Sequence, residues 1–246
     1  MRWFIFFGLL SLANSLSDTV DTAKKFCNMS NLCYNGAKSI ACLYTSSTKP
    51  ACNGTILPFN TKAVVQKHND YRQAIASGKY SPKFSTAASM PELVYSDELA
   101  QMALYNVKKC DFKHDACHQT NNFPNAGQNI AMAFMTLGVF DAAKTDSYIS
   151  EFIDSWFSEY SESNMNEIKS LPPNMSSTGH FLQMVQEKCR HVGCAFISYV
   201  EDNKDNVIFA CNYGYGNMLN DAVYTTGPPA SQCASKSKSY SALCSA

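Results

Sequence analysis

Between Asp146 and Tyr160 the apolar residues Ile149, Phe152, Ile153, Trp156 and Tyr160 return every three or four positions. That spacing lines one face of an α-helix beginning near Asp146. Two other helices are signalled by their ends. Asn60 or Thr61 can cap a helix running to about Ser77, with Gly78 in the terminating position. Ser96 caps another, with Asp97 and Glu98 in the first turn, where negative charge favours the helix dipole. Later the pattern changes. Residues 191–201 and 206–213 are rich in Val, Ile, Phe and Tyr and flank a polar turn at 202–205, which predicts a hairpin. Residues 128–134 predict a further strand. Residues 18–59, dense in Cys, Asn, Ser and Gly, predict knotted loops, and after Asn220 the chain turns at Gly227-Pro228-Pro229 into a tail that reads as an appendage. The sum is an α+β fold, helices on both faces of a small antiparallel sheet.

Composition adds a compartment. Arg2, the apolar run Trp3 to Leu12 and the small residues Ala13-Asn14-Ser15 have the layout of a signal peptide, with cleavage after Ser17 an alternative end. The run is too short to span a bilayer, and no later stretch approaches the roughly 20 apolar residues a membrane helix needs. The expected organisation is therefore a leader over 1–17, a cysteine-rich segment over 18–59, a main domain over 60–219 and a stapled extension over 220–246, in a secreted protein. Lys and Arg total 20 against 20 Asp and Glu, shifted by one when Arg2 leaves. That balance gives no footprint for nucleic acid or an anionic membrane. Asn28, Asn53 and Asn174 head glycosylation sequons.

All 11 cysteines lie beyond the leader, and in an oxidising compartment they read as a disulfide framework whose connectivity sequence alone does not fix. Cysteine pairs at the spacing of structural zinc sites are lacking. The chain also contains no His-Glu-x-x-His, Gly-x-Ser-x-Gly, P-loop, Gly-x-Gly-x-x-Gly or Arg-Gly-Asp motif.

Three separated motifs stand out: Lys67-His68-Asn69-Asp70-Tyr71-Arg72; Gly179-His180-Phe181-Leu182-Gln183-Met184-Val185 leading to Val192-Gly193-Cys194; and Cys211-Asn212-Tyr213. In this order they resemble the CAP superfamily of cysteine-rich secretory proteins, insect antigen 5 venom and salivary proteins, and plant pathogenesis-related proteins. The resemblance runs from about Cys27 to Met218 and is strongest to the antigen 5 branch. It implies an α-β-α sandwich and the pairs Cys27–Cys42, Cys33–Cys117, Cys52–Cys110 and Cys194–Cys211. Cys233 and Cys244 flank the tail and are expected to pair, which leaves Cys189 as an inert buried thiol, an intermolecular bridge or a capped thiol.

The resemblance also implies a central cleft of two histidines and two acids, in which many members hold a divalent cation through the histidines. Carried over, the histidines are His114 and His180 and one acid is Glu159, while the fourth place is taken by Gln128. Gln keeps an acceptor oxygen but loses the charge and the general base. Glu159 is also singled out by its place beside the apolar stripe, since a carboxylate near a core needs a partner; Glu151 and Asp154 fall on the opposite face. His68 is expected to be structural, and His118 to share a helix face with His114. Gln186, where the family has tryptophan, and the segment after Tyr213, which is one residue short, are expected to lie beside the cleft. No cofactor is required; a zinc-class cation is the candidate occupant.

The resemblance implies a secreted, non-enzymatic effector of salivary or venom type, binding a small hydrophobic ligand, a lipid for example, or an extracellular protein. Phe134, Met135, Leu137, Val139 and Phe140 form an apolar run that would line a ligand channel, or else pack as core. The alternatives are a metal-assisted hydrolase using His114, His180 and Glu159, and a protein-binding module whose cleft is vestigial.

Overall fold

The computed structural model describes residues 18–246; the expected leader lies outside them. Helix α2, Thr61–Ala76, is capped by the Asn60 side chain, which accepts from the Ala63 N–H, and ends where Gly78 takes a left-handed φ of 85°. Helix α3, Asp97–Val107, is capped by Ser96 in the same way. Helix α4 is Thr145–Ser158, with Tyr160 in the 3-10 turn that continues it. The hairpin is β4, His191–Glu201, against β5, Lys204–Tyr213. Its turn is tighter than expected: Asp202 and Asn203 both adopt positive φ, so two residues reverse the chain and Lys204 already pairs with Glu201. Strand β3, Gly127–Thr136, pairs antiparallel with β5. The two-residue strands β1, Thr55–Ile56, and β2, Val94–Tyr95, both join β4, the latter in parallel.

Alternation along the strands sorts the core into two layers. Ile197 and Tyr199 of β4 with Ile208 and Ala210 of β5 pack on Ala103, Leu104 and Val107 of α3. Phe196, Val207 and Phe209 point the other way, into a cluster with Ile149, Ile153 and Trp156 of α4, Ile168 of α5, Met165–Lys169, and Phe181 of α6, Gly179–Met184. The result is the expected α-β-α sandwich. Gly193 lets α3 rest directly on β4, since a Cβ there would lie 2.2 Å from the Ala100 nitrogen and 2.3 Å from the Ser96 carbonyl oxygen.

Arg72 of the first motif is fully buried and donates to four carbonyls, those of Pro91, Met184, Gln186 and Cys189. Burial lowers its pKa to about 10. His68 is structural: Nδ1 meets the Val64 carbonyl at 2.8 Å and Nε2 the Tyr213 hydroxyl at 2.9 Å, and burial drives its pKa down to about 4. Asp154 faces α2, where it pairs with Lys67 at 2.7 Å and accepts from the Tyr71 hydroxyl.

Several expectations change. The segment 18–59 is not loop alone: α1, Val20–Cys27, buries Ala23 and Phe26, and three 3-10 turns follow. With Ile40 and Tyr44 these side chains cover Met102 and Tyr105 of α3. The tail is no appendage, because Val223, Tyr224, Ala242 and Leu243 belong to the main core. The apolar run is split. Phe134, Leu137 and Val139 are exposed, while Met135 and Phe140 pack partly against the core, so the run forms no channel wall. The cysteines pair as Cys27–Cys42, Cys33–Cys117, Cys52–Cys110, Cys194–Cys211 and Cys233–Cys244. Cys189 is free and buried, with its thiol pKa pushed up by desolvation.

Candidate functional site

A cavity of about 470 Å³ opens where the start of β3 meets α6, the stretch leading to Gln128, and residues 216–218. His114, Gln128 and His180 all line it, together with His118, Gln183, Asn217 and Tyr34. Two glycines let the backbones close its floor. A Cβ on Gly127 would fall 2.1 Å from the Gln183 side-chain oxygen and 2.6 Å from the Gly216 Cα.

The stretch from Asp111 to Ala126 contains neither helix nor strand, so His114 is held by what flanks it. Cys110 is bonded to Cys52 and Cys117 to Cys33. The His114 ring meets Gln128 Oε1 through Nδ1 at 3.0 Å. The orientation of that amide is determined: its Nε2 donates to Asp115 Oδ2 at 2.8 Å and to Asn212 Oδ1 at 2.9 Å. Oε1 can only accept, so His114 carries a proton on Nδ1, and the neutral ring then has its lone pair on Nε2. Asp115 is fully occupied behind this bond, accepting also from Asn106 at 2.7 Å and pairing with Lys109 at 3.2 Å.

His180 is set in the same sense by a different partner. Glu159, the residue closing α4, accepts from His180 Nδ1 at 2.6 Å through Oε1. Its Oε2 accepts from the backbone N–H of His180 at 2.9 Å and of Phe181 at 3.2 Å. Trp156 stacks on the imidazole, with ring centroids 5.9 Å apart. Glu159 does not itself line the cavity; it stands behind His180 as Gln128 stands beside His114. Both imidazoles thus carry an Nδ1–H engaged by the protein, and both reserve Nε2. Orienting one ring nitrogen in this manner is how proteins prepare the other to bind.

The placement corrects two expectations. His118 shares no helix with His114; it is buried, and its Nε2 donates to the Ala126 carbonyl at 3.1 Å. Gln186 is buried beside Arg72 and does not line the cavity, whereas Gly216, Asn217 and Met218 of the shortened segment do. Sequence reasoning missed Asp115, although it is the neighbour of His114; what hid its role is that its partner Gln128 lies 13 residues away.

Two neutral imidazole nitrogens suit a zinc-class ion. Among the described residues no group of three or more His, Cys, Asp or Glu is placed to hold a metal ion. No helix among them is long and apolar enough to cross a membrane.

Comparison with known proteins agrees with this architecture. A crystal structure of NaASP2 with Zn2+ is 28% identical and superposes with a TM-score of 0.59, over 76% of this chain and 99% of that one. The structure of BmVAL-1, at 21% identity and a TM-score of 0.62, shares the fold over 79% of this chain and 98% of its own. In sequence, Venom allergen-1 of Aedes aegypti is 36% identical over 185 residues, 74% of this chain and 71% of that protein. Venom allergen 5 of Vespula vidua is 33% identical over 204 residues, 78% of this chain and 95% of that one. Residues 65–213 match the profile of the CAP family, and the chain, with its venom-allergen relatives, belongs to this cysteine-rich secretory protein family.

Proposed function

We propose that the protein is a secreted, non-enzymatic binding protein of the venom-allergen kind, and that its cleft takes one zinc-class divalent cation through Nε2 of His114 and His180. The observation that carries this reading is the shared tautomer: Gln128 and Glu159 engage both Nδ1 atoms, so both lone pairs are left on the side the protein does not use. The glutamine is then no defect. An amide oxygen orients the ring as well as a carboxylate does, and only the charge is lost. NaASP2, which resembles the chain in sequence and fold, has been crystallised with Zn2+.

The same geometry argues against hydrolysis. Both oxygens of Glu159 are committed, to an imidazole and to two backbone N–H groups, and Gln128 has no proton-accepting carboxylate to offer. The apolar run that would have served a lipid channel stands at the surface with Phe134, Leu137 and Val139 exposed, which favours an extracellular protein partner over a carried lipid. Native mass spectra with and without chelator test the cation. One chelator-sensitive Zn2+ in the natural protein, lost in His114→Ala and His180→Ala, is expected. A double variant that takes up zinc unchanged sinks the assignment, and metal-dependent turnover abolished by His180→Ala would overturn the non-enzymatic reading.

A further inference from the structure

Strand β2 pairs with β4 along one edge only. The Val94 N–H donates to the Arg190 carbonyl at 2.9 Å, and the Ser96 N–H to the Val192 carbonyl at 2.9 Å. By strand alternation Leu93 and Tyr95 turn their backbone N–H and C=O the opposite way. At Leu93 both groups are taken by one side chain of α2: the N–H donates to Asn69 Oδ1 at 2.7 Å and the carbonyl accepts from Nδ2 at 3.0 Å. Asn69 thus stands where a residue of a neighbouring strand would. At Tyr95, among the described residues, no hydrogen bond reaches either group. A cavity of about 690 Å³ adjoins this open length of edge, lined by Val65 and Asp70 of α2, by Glu92 and Tyr95, and by Tyr240 of the tail. Asp70 and Glu92 flank Tyr240: after the larger effect of burial, the charges of both raise its pKa. Ser237 donates to Glu92 at 3.1 Å, but neither carboxylate pairs with a Lys, Arg or His among the described residues. Lys62 also lines the cavity, but about 12 Å along α2 from Asp70.

We propose that the groove between α2 and β2 takes an extended, basic peptide segment of an extracellular protein. One residue of the segment pairs with the N–H and C=O of Tyr95, adding a strand to β2. Asn69 already fills the next outward position, at Leu93, so the added backbone ends there and only a side chain goes on. What it meets is Asp70, Glu92 and the Tyr240 ring, two carboxylates without a counter-ion beside an aromatic, which together select Lys or Arg. The segment also covers Val94, an exposed apolar residue of β2. The groove lies on the β2 side of the sheet and the histidine cleft on the β3 side, so the proposal does not depend on the cation. It rests on the reading of an extracellular protein partner and gives that partner a chemistry. A small free amine would satisfy the carboxylates but leave the Tyr95 edge unpaired.

The test is selection of short random peptides displayed on phage against the natural protein, followed by fluorescence anisotropy with the selected peptides made free and labelled. Peptides rich in Lys or Arg are expected. The double variant Asp70→Asn, Glu92→Gln, which keeps acceptor oxygens for Tyr240 and Ser237, should bind them about tenfold more weakly at an unchanged melting temperature. N-methylation scanned along the peptide backbone should find one position that weakens binding as much, the N–H that meets the Tyr95 carbonyl. A selection without basic residues, or peptides that the double variant binds unchanged, overturns the groove. If those peptides are instead lost in Phe134→Ser, the partner reading stands at that other surface while the groove falls. Displacement of the peptides by n-butylammonium at equal concentration would make this a site for free amines and overturn the added strand.

Discussion

Replacing Gln128 by glutamate restores the acid found in the family's cleft, yet this chain should be harmed by it. The amide nitrogen that donates to Asp115 at 2.8 Å would become a second carboxylate oxygen facing the first. At that separation, and an effective dielectric of about 20, two full charges repel by about 6 kcal/mol. Lys109, 3.2 Å from the far oxygen of Asp115, offsets part of this, and the pair escapes more by sharing a proton. The net cost at neutral pH should be about 3 kcal/mol. Its pH dependence is fixed in sign. The introduced carboxyl has a folded pKa raised above its unfolded value of about 4.3, so the cost is absent below that value and grows as pH rises through the interval between them. Guanidinium denaturation of Gln128→Glu and the natural chain at pH 4 and pH 7.5 measures it: coincident stabilities at the lower pH, a gap of about 3 kcal/mol at the higher. Gln128→Glu combined with Asp115→Asn, which swaps acid and amide, should close most of that gap. An equal gap at both pH values, or none at pH 7.5, would refute the account of Gln128 as the amide that donates to Asp115 behind His114.

Other outcomes follow from the same structure. Arg72→Met leaves four buried carbonyls without their donor and should cost about 4 kcal/mol, less than four full bonds because the buried charge is also relieved; Arg72→Lys should recover under half, and a melting temperature unchanged in Arg72→Met would contradict the clamp. His68 is neutral when folded, with a pKa of about 4, so stability should fall as pH drops from about 6.5 towards 4, by about 3 kcal/mol; a His68→Gln variant that keeps the full slope over that interval would assign it to other groups. Gly193→Ala drives a Cβ into the backbone of α3 and should yield no folded, secreted protein; normal secretion would be the contrary result. Removing the Cys33–Cys117 bridge by a double alanine substitution, which opens a loop of 84 residues, should cost about 4 kcal/mol in thermal or guanidinium unfolding.

Much of the frame could be read from the chain because its signals are local. Asn60 and Gly78 bound α2, Ser96 opens α3, and the run from His191 to Tyr213 is rich in Val, Ile, Phe and Tyr on either side of a polar turn. Four of the disulfide pairs came from resemblance, since spacing cannot choose among so many connectivities, and Cys233–Cys244 from the tail those two cysteines flank. What escaped was non-local. Helix α1 is only eight residues long and contributes two buried side chains, too little periodicity to rise above its Cys- and Ser-rich surroundings. The tail's role depends on where Val223 and Leu243 land, and nothing within the tail encodes that. Phe134 to Phe140 looked like interior because apolar composition does not say which way a β-turn projects. In the cleft, His114, Gln128, Glu159 and His180 were nameable, but the feature that gives Gln128 its meaning, an amide pinned by Asp115 and Asn212, exists only once β3 lies beside β5.

His114 sits on a stretch with no secondary structure of its own, between cysteines tied to Cys52 and Cys33. The cleft therefore has a birthplace. In a reducing cytosol those ties would not form, and the histidine would hang on a loose strand of chain, unable to meet its counterpart on α6. The two imidazoles face one cavity where those ties are made, in oxidising surroundings. Any activity that needs both therefore depends on two covalent ties remote from the imidazoles themselves, and a reductant that never touches a histidine would switch it off.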